Sequence, residues 1–341
     1  MAEKTALQSQ DPPANTWLLL LDHLEFADLH TVDDRPQLIP DPVQARAICF
    51  EQYYLQDSRQ SMATAEMAAE LMKAILAALP ASVRCQIIAG DGPDQAQVMQ
   101  RLSPEHQARV LWTAVKSTEL SAAVTQADAN CDFHVCLMSS QALRESGGLA
   151  DVVATIDGLG SNVSRLHTPR ILITGLQGRR SVEESGQPAA DDAQMHLPLL
   201  YCADSLQTDI VQGVCGSGDL PCTVAELLNS ERPMNRSEQT SSQHYVQQPM
   251  SLLDILQNVP GPANRLLPIQ GDDWQAWRTQ TCLVWQPTQT EQDRVTTAPQ
   301  LYLKPEDRWN RNDLSGTYAV TLDEIVRAAA HTEERVDTVP E

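Results

Sequence analysis

A mostly parallel α/β sheet sandwiched by helices, with a small antiparallel subdomain at its C-terminal end, is the fold class this sequence predicts. Three observations carry it. Short apolar runs without polar alternation (WLLLL, CQIIAG, FHVCLM, RILITGL) recur along the chain, as strands buried on both faces do. Helical patterns separate them, the rhythm of a parallel sheet covered on both sides. Beyond a Ser-, Gln- and Asn-rich stretch at 230–248 the rhythm stops and aromatic strand segments take over.

The elements follow in order. Residues 17–21 are a continuous apolar run closed by Asp22, the mark of a central strand. Residues 60–79 place Met, Ala, Leu and Ile at helical spacing. Asp57, with Gln60 three residues on, reads as the capping box of that helix. CQIIAG (85–90) is a short strand ending in a Gly-Asp-Gly-Pro turn, VMQRL a short helix and ARVLWTAV (108–115) the next strand. A helix near 117–127 leads to the strand FHVCLM (133–138), and an amphipathic helix at 149–166 leads to RILITGL (170–176). A polar loop (179–194) precedes the strand HLPLLYC (196–202), and Asp219-Leu220-Pro221 opens a helix near 220–229. AWRTQTCLVWQP (276–287) and QLYLKP (300–305) read as two antiparallel strands, closed by a helix at 321–330. The expected organisation is a flexible N-terminus (1–15), an α/β core (16–230), a linker (231–250) and a C-terminal subdomain packed on the core (251–341).

Composition narrows the function classes. The chain has 341 residues, enough for one large core or two domains, and a net charge of −21. That charge argues against nucleic-acid and anionic-membrane partners, whose binding needs Lys and Arg. Eight cysteines sit mostly in apolar runs such as AICF, HVCLM and LLYC, where a reduced thiol packs as a small hydrophobe. Cys131, His134 and Cys136 lack a second ligand pair at zinc-site spacing. The polar N-terminus has no signal-peptide core, and WLLLLDHL is too short to span a bilayer. As it stands the chain reads as soluble and cytoplasmic, or exported if a leader precedes it.

Taken in sequence, these pieces resemble the sulfatase branch of the alkaline phosphatase superfamily. NTWLLLLDHLEFADLH is similar to the family's first strand, which ends in metal-binding aspartates. ICFEQYYLQDSR resembles the segment from a Phe-containing strand to the nucleophile motif, Cys (or Ser)-x-Pro-Ser-Arg. GLADVVATIDGLGSNVSRL resembles a family helix with an Asp just before a Gly. RILITGLQG stands where the family has a strand ending in Ser-Asp-His-Gly or Ser-Asp-Asn-Gly. MHLPLLYC, GDLPCTVAELL, PMSLLDIL and WRTQTCLVW followed by QLYLKPEDRWNRNDL are similar to later family segments in the same order. The resemblance spans most of 16–330.

The resemblance implies a formylglycine nucleophile made from Cys or Ser, and a divalent cation that lowers its pKa and neutralises the ester. This sequence departs from the pattern at both places. The nucleophile position is Leu55, which has no heteroatom, and the motif Pro is Asp57; only Ser58 and Arg59 match. Asp22 fits the first metal aspartate, but His23 follows it, and Leu176 and Gln177 replace the carboxylate and the His or Asn of the later strand. Calcium wants six to eight oxygen ligands, so Asp22, His23 and Gln177 are remnants of a metal site, and no cofactor is expected. The loop at 179–194 carries Arg179 and Arg180 but no convincing sulfate-contacting Lys. His134 and His196 lie in apolar strand runs and read as core histidines.

Arg59 is the anion-binding candidate, because an Arg beside the free N–H groups of a helix start clamps anions; a structural ion pair is the competing role. Asp157 reads as a helix-surface or packing residue, and Asn162 and Asn235 fall in glycosylation-acceptor tripeptides. The expectation is a sulfatase-like protein that has lost catalysis and binds an anionic small ligand or a partner protein. Its alternative is an active sulfate- or phosphate-ester hydrolase that attacks through Asp57 or Ser58, with Asp22, His23 and Ca²⁺ or Mg²⁺. A scaffolding role beside a true sulfatase is a third. Leu55 and Leu176 favour the first.

Overall fold

The computed structural model describes residues 16–24, 26–29, 37–56, 62–91, 94–146, 148–161, 169–178, 195–203, 209–228, 248–256, 265–288, 298–304, 307, 310 and 312–336. Its main sheet is built from β1 (Thr16–His23), β2 (Ala47–Tyr54), β3 (Cys85–Gly90), β4 (Val110–Val115), β5 (Phe133–Met138), β6 (Arg170–Gln177), β7 (His196–Cys202), β8 (Asp209–Val211) and β9 (Cys215–Gly216). The order is β4-β3-β5-β1-β6-β7-β2-β8, with β9 pairing β2. Only β7 runs against its neighbours; the remaining pairs are parallel. The fold class is therefore the expected one, a mostly parallel sheet between helices.

The strand period of two decides which side chains meet which layer. From β1, Leu18 and Leu20 join the cluster under the helix Thr64–Ala78, while Trp17, Leu19 and Leu21 join the opposite cluster under the helix Gly148–Ser161. Both faces are dry, so all five of these side chains are fully buried. The cysteines behave as small hydrophobes. All eight are free, and burial pushes their thiols up, Cys49 to about 11 and Cys136 to about 12. A thiol that stays protonated at neutral pH is a poor nucleophile and metal ligand.

Several boundaries differ from the sequence pattern. β1 continues past Leu21 through Asp22 to His23. The first long helix starts at Thr64 with Ala63 as N-cap and no side-chain cap, so Asp57 does not cap it; Asp57 and Gln60 lie outside the described residues. Apolar burial rather than capping fixes that helix, with Met72, Ile75 and Leu76 wholly buried. The strand expected from Ala108 begins at Val110, because Pro104–Ala108 forms a short helix capped by Ser103. The helix expected at 149–166 is described as Gly148–Ser161; residues 162–168 lie outside the described residues, as do residues 231–247 of the linker expected at 231–250.

Arg109 closes the Thr64–Ala78 helix from the next unit. Its Nη1 donates to the Leu76 carbonyl (2.9 Å), Nη2 to Pro80 (2.8 Å) and Leu79 (3.5 Å), and Nε to Val83 (3.1 Å). A cation on the last carbonyls of a helix satisfies orphan acceptors and opposes the helix dipole. Arg109→Met is expected to lower stability by about 1–3 kcal/mol, read as a lower urea midpoint with an unchanged slope.

Among the described residues the C-terminal portion holds four strands, not two. β10 (Leu267–Gln270), β11 (Trp274–Arg278), β12 (Cys282–Pro287) and β13 (Gln300–Leu303) form an antiparallel sheet in chain order. The apolar run at 276–287 is split by a turn that Thr279 makes, its Oγ1 accepting from the N–H groups of Thr281 and Cys282. The helix Ala319–Val336 lays Ile325 and Ala329 against this sheet. At the far edge of the main sheet Ile210 of β8 leaves 63% of its surface exposed, and its backbone N–H is taken by the Asp209 carboxylate at 2.8 Å. No helix among the described residues is long and apolar enough to cross a membrane.

Candidate functional site

β1, β2, β3, β5 and β6 run in one direction, so their carboxyl ends open at a single edge of the sheet, where ligand sites of open α/β folds lie. Every described group expected to carry chemistry arrives there. Asp22 and Gln177 are already engaged by the protein itself. The half-buried Asp22 accepts through Oδ1 from the N–H groups of His23 (2.7 Å) and Ser140 (2.7 Å). It thereby ties the end of β1 to the chain leaving β5, and one carboxylate oxygen is spent on backbone. His23 is exposed and sits opposite Gln177 in the β1–β6 register. Gln177 turns its amide under the first helix, donating through Nε2 to the Met62 carbonyl (3.1 Å) and the Met67 sulfur (2.9 Å).

The two positions that the sulfatase resemblance aligns with the nucleophile and a metal carboxylate are core. Leu55 and Leu176 are 5% and 3% exposed and belong to one apolar cluster with Met62, Met67 and Leu197. The Leu55 N–H donates to the Met195 carbonyl at 2.8 Å, which fixes the exit of β2 against β7. On the opposite face Leu24, wholly buried, folds back over Gly175. A Cβ at Gly175 would come within 2.8 Å of the Leu24 Cβ and 3.2 Å of Leu197. The ends of β1 and β6 are therefore packed with leucine on both sides.

A divalent cation does not fit the described residues. One partly committed carboxylate, an exposed imidazole and an amide turned inward are too few hard oxygens for calcium. Among the described residues no group of three or more His, Cys, Asp or Glu is arranged around a common point. Asp57, Ser58, Arg59, Arg179 and Arg180 lie outside the described residues, as do Asn162 and Asn235.

The histidines pack. His134 is 3% exposed and stacks on Trp17 at 4.3 Å between ring centres. His196 stacks on Tyr54 at 4.8 Å, leans on Phe26 at 4.6 Å and bonds the Glu51 carbonyl through its ring nitrogen. Asp157 pairs with Arg46 at 2.6 Å on the helix flank.

Pattern reasoning missed three arginines that organise this edge. Arg144 pairs with the buried Asp28 at 2.5 Å, joining the chain beyond β1 to the helix Ser140–Ser146. Arg265 pairs with Asp219 at 2.5 Å, and Arg278 is fully buried beside Tyr54 and Gln52. The signal for Arg278 was available: a lone charge inside the aromatic run AWRTQTCLVW must find acceptors within the core.

Known structures share this architecture. The structure of Ps i-CgsB in complex with k-i-k-neocarrahexaose matches with a TM-score of 0.64 at 10% identity, over 94% of this chain and 92% of that one. A 2-O GAG sulfatase matches with a TM-score of 0.60 at 9% identity, over 96% and 93%. A protein in the alkaline phosphatase superfamily from Vibrio parahaemolyticus matches at 0.55 and 14% identity, over 92% and 88%. No family model and no curated protein matches the sequence. The chain has the sulfatase-like fold of the alkaline phosphatase superfamily.

Proposed function

We propose that this chain is a non-catalytic, sulfatase-like protein that acts by binding rather than by ester hydrolysis. The observation that carries the proposal is the joint burial of Leu55 and Leu176 in one cluster. The positions that the resemblance aligns with the nucleophile and a metal carboxylate lie in the same core, and neither leucine has an atom that can attack an ester or bind a hard cation. The gathering of Leu24 over Gly175 supports the same conclusion from the other face. What is bound is an anionic small ligand at Arg59, or a partner protein; the net charge of −21 disfavours polyanionic partners.

Calorimetric titration of the metal-stripped protein with Ca²⁺ and Mg²⁺ tests the proposal. No heat of binding is expected up to millimolar metal. Micromolar binding abolished by Asp22→Ala, followed by turnover of a sulfate or phosphate ester, would replace it with a rearranged active site.

A further inference from the structure

At one end of the main sheet's strand order lies β4, which pairs with β3 alone among the described residues. The Cys85 N–H donates to the Arg109 carbonyl (3.0 Å), and the Asp91 N–H donates to the Val115 carbonyl (3.3 Å). Backbone groups alternate in direction along a strand, so residues 109, 111, 113 and 115 bond β3. Val110, Trp112 and Ala114 therefore turn their N–H and C=O groups outward. Among the described residues no backbone or side-chain group takes them up.

The strand also lacks the devices that blunt an edge. VLWTAV (110–115) has no charge and no proline, in a chain where 20% of residues are charged, and its pairing with β3 runs without a bulge. Leu111 is 39% exposed, and Ala114 is exposed beside it. A flat, uncharged edge of this kind is a template for another strand.

The outward groups are complementary to themselves. A two-fold axis normal to the sheet at Trp112 sets Trp112 against its own copy and Val110 against Ala114 on either side. Each of these is a hydrogen-bonded antiparallel pair that exchanges two N–H···O=C bonds, so the outward donors and acceptors of β4 in both chains are all used. Side chains keep their faces under that rotation. Val110 and Trp112, which pack on the cluster under the helix Thr64–Ala78, stay on that side, and Leu111 meets Thr113 on the other. Charge follows the same register. Lys116 of each chain arrives opposite Ala108 of the other, at the end of the helix Pro104–Ala108, whose carboxylate is Glu105. Both Lys116 and Glu105 are exposed, and neither has an ion-pair partner among the described residues.

We propose that β4 is a homodimerisation edge. Two copies of this chain join antiparallel through residues 110–114, about an axis at Trp112, and the two main sheets become one. The inference rests on the sheet edge alone and is independent of the chemistry at the carboxyl ends of the strands.

Sedimentation equilibrium of the full chain, from micromolar to several hundred micromolar protein, tests it. Salt of about 0.15 M confines the repulsion between two chains of charge −21 to about 8 Å. A species of twice the 37.6 kDa chain mass is expected, with a micromolar Kd. Ala114→Pro removes one outward N–H per chain and leaves every bond to β3, and Leu111→Lys sets two like charges diagonally across the axis. Each should weaken the dimer at least about tenfold, while Ile210→Lys on β8 leaves it unchanged. Hydrogen exchange in a peptide spanning 109–116 should slow as protein concentration rises. A wild type that stays monomeric throughout, or a dimer left as tight by either folded variant, overturns the proposal. If Ala114→Pro does not fold by urea unfolding, Leu111→Lys decides alone.

Discussion

Leu176→Asp, which places a carboxylate where the sulfatase resemblance aligns a metal ligand, is expected to lower stability by about 3–5 kcal/mol and to confer no metal affinity. Leu176 is 3% exposed inside the cluster that includes Leu55, Met62 and Met67, so a carboxylate there is surrounded by hydrocarbon and has no cation to meet. The pH dependence follows from the sign of the shift. Burial raises the folded-state pKa of the new carboxyl above its unfolded value of roughly 4. The folded protein then holds the proton longer, and the deficit relative to the wild type grows as pH rises from that value through the raised one. Below it both states are protonated and the difference is smallest. Urea unfolding at a series of pH values reads the deficit, and calorimetry reads the metal. A variant that folds as well as the wild type and binds Ca²⁺ would show that position 176 faces solvent and that the site can be rebuilt.

Asp219→Asn is the second large effect, about 3–5 kcal/mol. Asp219 is 1% exposed and accepts three hydrogen bonds, from Gly216, Met250 and Arg265. An amide keeps the shape but turns a donor toward one of those donors and leaves Arg265 buried without its counter-charge. Removing both charges should be gentler than removing one, because the penalty lies in the orphaned partner. Asp219→Leu with Arg265→Met should therefore recover a large part of the loss. A double-mutant cycle by urea unfolding measures the coupling; a double variant as unstable as the sum of its singles would mean that the three-bond geometry, not the charge, matters.

Much of this architecture was legible because buried parallel strands announce themselves. WLLLL, CQIIAG, FHVCLM and RILITGL lack polar alternation, and all four are strands of the main sheet. β2 carries no such announcement: AICFEQYY mixes Glu51 and Gln52 into its run, and only its likeness to a family segment pointed to a strand. β8 and β9, three and two residues long, are below what periodicity can resolve. The hairpin inside 276–287 was hidden because Thr279 turns the chain through its own hydroxyl, without Gly or Pro.

The candidate site was legible in identity but not in consequence. That Leu55 and Leu176 lack heteroatoms is plain from the sequence; that they share a core cluster is a tertiary fact. Asp22 illustrates the limit best. Its bond to the Ser140 N–H links residues 118 apart in sequence, so no local pattern could show that the carboxylate is already engaged. The Arg265–Asp219 and Arg278–Gln52 contacts are long-range in the same way.

The outer strand of the main sheet carries a consequence for behaviour in concentrated solution. Among the described residues β8 ends the sheet with Ile210 standing 63% exposed, a feature that invites another chain to add a strand. Asp209 has already claimed the Ile210 N–H with its carboxylate and sets a negative charge beside it. An incoming strand would find that donor taken and an anion at the place where its own carbonyl must approach. An acidic side chain so placed disfavours edge-to-edge pairing beside the exposed apolar tip of Ile210.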